Sequence, residues 1–176
     1  MFLDAALILS NAQAVTSTAA STNLYDITGA GSGVVPNLVW GTSTVFGADM
    51  GIGDQKDRPV ILFSIPTAFV SGGGATLQIQ IQAAVDSGTG GVPGTYYTLW
   101  ESVALSVAQL AAQVGPWSVP LPPLAPPFTA GVLPRFYRIN YVVATSTFSA
   151  GNITAAICRT PPTQVGTLLP SNFASV

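Results

Sequence analysis

Between residues 76 and 82 the chain alternates strictly. Leu77, Ile79 and Ile81 fall on one side of an extended backbone, and Gln78, Gln80 and Gln82 on the other. A period of two predicts a β-strand with one buried face. Residues 135–143 repeat the pattern, with Tyr137, Ile139, Tyr141 and Val143 opposite Phe136, Arg138, Asn140 and Val142. Val60-Ile61-Leu62-Phe63-Ser64-Ile65 predicts a buried strand stopped by Pro66, and residues 96–100 and 152–158 add two more. The Thr-, Ser- and Ala-rich residues 14–22 predict a strand near the N-terminus. Ser71-Gly72-Gly73-Gly74 and residues 86–94 read as loops. One short helix is expected, because Ser106 with Gln109 three residues on has capping-box form. Short strands with Gly/Pro turns make the fold all-β, a sandwich or barrel.

Two segments break the pattern. Residues 116–134 contain seven prolines, interleaved with Trp117, Leu121, Leu124 and Phe128. Proline cannot donate to a ladder, so this stretch is expected at a sheet edge or outside it. Residues 161–176 hold Leu168 and Phe173 but show no period. The domain reading is one β-sandwich over residues 1–160, including an N-terminal arm, and an extended tail over 161–176. The opening residues mimic a signal peptide, with an apolar run at residues 5–9 and Ala12-Gln13-Ala14. They lack Lys or Arg and contain Asp4, so the arm is expected to remain in the mature protein.

Composition narrows the chemistry. Only 7% of the 176 residues are charged while 48% are hydrophobic, and there is no histidine. Ordinary domains carry about 25% charged residues. Without histidine there is no Ser-His or Cys-His pair, and Lys56, the one lysine, sits in no recognisable motif. The reading is therefore not an enzyme, with no catalytic residue. Asp49, Asp54 and Asp57 share a Gly-rich stretch but match no calcium loop, so no metal and no cofactor are expected. The cations Lys56, Arg58, Arg135, Arg138 and Arg159 form no footprint for nucleic acid or for a membrane surface. No run reaches the ~18 apolar residues of a membrane-spanning helix. The single cysteine, Cys158, rules out an intramolecular disulfide. The outward glutamines fit a polar protein partner and a solvated face equally well. Trp40, Trp100, Trp117, Tyr96 and Tyr97 leave a carbohydrate-binding jelly-roll module as the alternative, and a fibre adhesin subunit would share this composition.

Three stretches carry a resemblance. Met1-Phe2-Leu3-Asp4-Ala5 with Ser10-Asn11-Ala12-Gln13-Ala14-Val15-Thr16, Thr18-Ala19-Ala20-Ser21-Thr22-Asn23 and Asp26 forms the first. Arg135-Phe136-Tyr137-Arg138-Ile139-Asn140-Tyr141 and Ala150-Gly151-Asn152-Ile153-Thr154-Ala155 are the others. The chain resembles the capsid cement (decoration) proteins of tailed bacteriophages. The resemblance implies a jelly-roll-like antiparallel sandwich on the exterior of an icosahedral capsid, made in the host cytoplasm. Its implied partners are the major capsid protein and the chain itself, as a two-fold dimer first and a trimer next. On that reading Phe2, Leu3 and Leu7 of the arm, Trp117, Leu121 and Phe128 of the proline-rich stretch, and Leu168 and Phe173 of the tail are the candidate contacts. These are apolar residues in segments too short or too proline-rich for a core of their own. The competing expectation for Phe2, Leu3 and Leu7 is that they cover one end of their own sandwich.

Overall fold

The computed structural model describes residues 7–26, 38–40, 43–45, 59–88, 91–113, 115–121 and 134–158. Its elements are β1 (Ile8–Ala14), β2 (Ala19–Ala20), β3 (Tyr25–Asp26), β4 (Leu38–Trp40), β5 (Ser43–Val45), β6 (Val60–Val70), β7 (Thr76–Asp86), β8 (Pro93–Glu101), β9 (Leu105–Ser106), α1 (Val107–Ala111), β10 (Trp117–Pro120), β11 (Phe136–Ala144) and β12 (Ala150–Cys158). One sheet runs β1-β12-β6-β10. A second runs β2-β11-β7-β8, with β3 continuing the edge of β11 and β9 that of β7. Every pairing is antiparallel.

The connectivity is nested. β1 pairs with β12, β2 and β3 pair with β11, β6 pairs with β10, and β7 pairs with β8. That is the path of a jelly roll, wound so that consecutive nested pairs land in opposite sheets. β4 and β5 pair with each other in a separate ribbon between the second and third arms of the roll.

The core fills the space between the sheets. From β7, Leu77, Ile79 and Ile81 are no more than 2% exposed, and they meet Tyr137, Ile139 and Tyr141 of β11 across the same face. Ile61 and Phe63 of β6 and Ile153, Ala155 and Ile157 of β12 face them from the other sheet. Each such side chain contributes on the order of 1.5–3 kcal/mol by leaving water. At the loop end, Phe69 and Phe148 meet edge to face with centroids 4.9 Å apart. Gly151 is the only residue type that fits beside them: a Cβ there would lie 2.2 Å from Phe69 Cδ1, and its φ is +145°.

Two expectations needed revision. The first full strand is β1, not residues 14–22, of which only Ala14, the last residue of β1, and Ala19–Ala20 lie in strands. Residues 16–18 instead carry the chain from one sheet to the other, and Thr18 Oγ1 stands in for a strand by accepting from Val143 N–H at 3.0 Å. Strand β6 does not stop at Pro66 but continues to Val70. Thr154 pairs with Ser64 and Asn152 with Thr67, so β6 holds an extra residue around Pro66. β10 extends no further along β6 than Phe63. A bulge without a second neighbour tolerates a missing N–H. The proline-rich segment starts as expected, with β10 at a sheet edge. The expected capping box is present at α1, where Ser106 N–H donates to Gln109 Oε1 at 2.9 Å and Ser106 Oγ accepts from Gln109 N–H.

Candidate interaction surface

Near the N-terminus, residues that carried the resemblance form a local framework. Gln13 Oε1 accepts from Ser10 Oγ at 2.8 Å and from Thr22 N–H at 2.8 Å, while Gln13 Nε2 donates to the Ala20 carbonyl at 2.7 Å. Asn23 Nδ2 donates to the Ile8 carbonyl, and Ser10 shares a buried hydrogen bond with Tyr141. Ala12, at φ 45°, sits within the register shift between Ser10 and Gln13 and is held by Thr154 Oγ1 on its N–H and Asn152 Nδ2 on its carbonyl. The polar letters of this phrase therefore build the fold, tying β1 to the start of the second sheet.

The outer face of the second sheet has two parts. At one end, Arg135 grips the fully buried carboxylate of Asp26 in bidentate fashion, Nε to Oδ1 at 2.8 Å and Nη2 to Oδ2 at 2.9 Å. Its Nη1 also bonds Asp86, whose Oδ1 accepts from Gly88 N–H in the β7–β8 loop. The hydrogen bond to Asp26 is the main reason the guanidinium pKa is held above its ordinary value, although desolvation opposes it. Phe136 packs beneath, with Arg135 Cζ 4.8 Å from its ring centroid.

Further along the same face, polar side chains bond across three strands. Arg138 Nε donates to Gln82 Oε1 at 2.9 Å, and Gln82 Nε2 donates to Gln80 Oε1 at 3.1 Å and to Thr98 Oγ1 at 3.3 Å. Gln80 Nε2 donates to Glu101 Oε2 at 3.1 Å, and Asn140 Nδ2 also donates to Gln80 Oε1. Gln78 Nε2 closes the row on the Ser102 carbonyl. Arg138 lies flat on Tyr96, with Cζ 3.5 Å from the ring centroid. Burial pushes the Tyr96 phenol up, and Arg138 offsets part of that.

The candidate contacts do not gather in one place. Leu7 packs against the core from the start of β1, which agrees with covering its own sandwich. Trp117 stacks on Phe63 with centroids 5.5 Å apart, and Leu121, 2% exposed, is a core residue. Leu121 thus has no side-chain surface to offer a partner. Phe2, Leu3, Phe128, Leu168 and Phe173 lie outside the described residues, as do Asp49, Asp54, Asp57 and the tail at 161–176. Of the aromatic rings considered for sugar stacking, Trp100 and Trp117 pack against the core and Tyr96 is covered by Arg138. Among the described residues no group of His, Cys, Asp or Glu is placed to hold a metal ion, and no helix is long and apolar enough to cross a membrane.

The model of one protein family, Bbp16, matches residues 9–157, from β1 through β12. The chain belongs to the Bbp16 family. The family name is phage-derived, and the match spans the whole jelly roll. No curated protein matches the chain.

The Asp26–Arg135–Asp86 cluster and the Arg138–Glu101 ladder were not foreseen as sites. Both Asp26 and Arg135 stand in the stretches that carried the resemblance, but Arg135 and Asp26 are 109 residues apart. No local pattern connects them.

Proposed function

We propose that this chain is a structural virion protein that binds the outer surface of an icosahedral phage capsid and cements neighbouring major capsid subunits. The observation that carries the reading is the disposition of charge. Every charged side chain among the described residues is held by other groups of the chain: Asp26 and Asp86 by Arg135, Glu101 by Gln80, and Arg138 by Gln82 and Tyr96. Apart from Glu101 and the partly exposed Arg138, what is left outward is amide, hydroxyl and apolar, with Val70, Val92 and Val103 each more than half exposed.

Such a surface suits permanent contact with protein. Buried charges cost desolvation unless paired, whereas amides and hydroxyls can be satisfied by a facing chain at smaller cost. A cement needs no reaction. It adds contact area between subunits, and many copies on one lattice gain through effective concentration. The phage-derived family supports the same reading.

The test is co-sedimentation of the purified chain with empty capsids that lack it. Saturable binding at a fixed ratio to capsid subunits is expected. A chain that stays in the supernatant at every concentration removes the capsid role and brings the carbohydrate reading forward.

A further inference from the structure

Three bonds on the outer face of the second sheet point the same way: Arg138 Nε–H to Gln82, Gln82 Nε2–H to Gln80, and Gln80 Nε2–H to Glu101. A cation and an anion stand at the two ends of one oriented chain of amides, and each bond polarises the next. Register places the ends on the strands flanking β7, Arg138 opposite Gln82 and Glu101 opposite Gln80. Strand spacing and rise then separate them by roughly 12 Å, beyond a Debye length at physiological salt, so neither neutralises the other. Among the described residues neither has an ion-pair partner. Arg135, three positions earlier on the same side of the roll, has two.

The guanidinium is nevertheless fixed. Tyr96 supports one face and Gln82 takes Nε, which leaves Nη1 and Nη2 without a hydrogen bond among the described residues. Gln82 cannot turn, because its own Nε2 is engaged by Gln80 and Thr98. The ordering that binding normally costs has been completed in the fold. A partner must bring an anion over β11 and a cation over β8. A second copy turned about a two-fold axis above Gln80 and Gln82 supplies both by symmetry.

We infer that this face is a two-fold interface between copies of the chain, in which Arg138 of each copy pairs with Glu101 of the other. The inference deepens the reading above by naming the surface of self-association, and it holds whether or not a shell is the final partner. Four strands of β11 length give a footprint of roughly 570 Å² per copy, about 1,150 Å² in the pair, at the small end of specific interfaces. The dimer is therefore a weak one, formed in the micromolar range, and loosened by salt.

Charge reversal tests it in solution by sedimentation equilibrium of the full chain. R138E alone or E101R alone places like charges across the axis twice, and each is expected to weaken the dimer at least about tenfold. Mixed one to one, the two variants carry only opposite pairs, so the mixture is expected to regain wild-type dimerisation. A wild type that is monomeric throughout the micromolar range overturns the inference, as do reversals that dimerise unchanged. The neutral R138Q and E101Q, which keep an amide in place, carry the test if a reversal unfolds the chain. Each should weaken the dimer and flatten its salt dependence, and an unchanged dimer again overturns it. Capsid co-sedimentation reads the shell reading separately: binding by a chain whose dimer ignores these substitutions would remove the interface alone.

Discussion

Two arginines on β11 and its threshold show how differently one face can treat a charge. Arg135 is closed off: 16% of its side chain is exposed, it holds the fully buried Asp26, and it also meets Asp86. Arg138 is open: it rests on Tyr96 and a glutamine and has no carboxylate among the described residues. The first arrangement joins β3, β11 and the β7–β8 loop and serves the fold. The second has the same preparation without the counter-charge, which is how a surface awaits another molecule. Position on a strand does not decide between these roles; what decides is whether the chain supplies the opposite charge itself.

The sharpest way to break the comparison is to remove each arginine in turn and read stability. Arg135→Met takes the bidentate guanidinium bonds away from the buried Asp26 carboxylate, and about 3–5 kcal/mol of stability should be lost in chemical denaturation. Asp26→Asn should be milder, because a neutral amide can still accept from the guanidinium. Gly151→Ala belongs to neither arginine and calibrates the scale. Its methyl would collide with the Phe69 ring, and a loss of about 2–3 kcal/mol is expected in the same measurement.

Alkaline titration comes next. Burial holds the Tyr137 and Tyr141 phenols and the Cys158 thiol above their ordinary values. Above about pH 9–10 the unfolded chain then gives up protons that the native chain keeps, so stability must fall as pH rises, by at most about 1.4 kcal/mol per pH unit for each tyrosine. With no histidine, these groups contribute no slope between pH 6 and 8. A melting temperature that rises from pH 9 to 11 would contradict the burial assignments. Smallest of all, Arg138→Ala should cost less than about 1 kcal/mol, since a partly exposed stacked cation adds little to a monomer. A loss as large as that of Arg135→Met would erase the distinction between the two sites.

Much of the fold was legible because its signals are local. Alternation at residues 77–82 and 137–143 places the inner faces correctly, and Ser106 with Gln109 marks α1. Strand β1 was misplaced because Ser10 and Gln13 are polar yet turned into internal bonds, which hides the period. Strand β6 appeared to end at Pro66 because a bulge leaves no trace in composition. The ladder on the outer face was half visible. Gln78, Gln80 and Gln82 could be placed outward, but what they bond depends on the registers of β8 and β11, which only the folded sheet sets. Among the apolar contact candidates, Leu121 and Trp117 look like surface residues in a proline-rich sequence and pack inward because β10 completes the first sheet.

The measurement that tests the cement reading most directly is the survival of empty shells with and without the bound protein, followed by light scattering through a heat or guanidinium ramp. Shells saturated with the protein are expected to disassemble at a higher temperature or denaturant concentration than bare shells. The gain should vanish when the protein is removed and return when it is added back. Shells that bind the protein at a fixed ratio yet come apart at the same point would contradict cementing and leave only attachment.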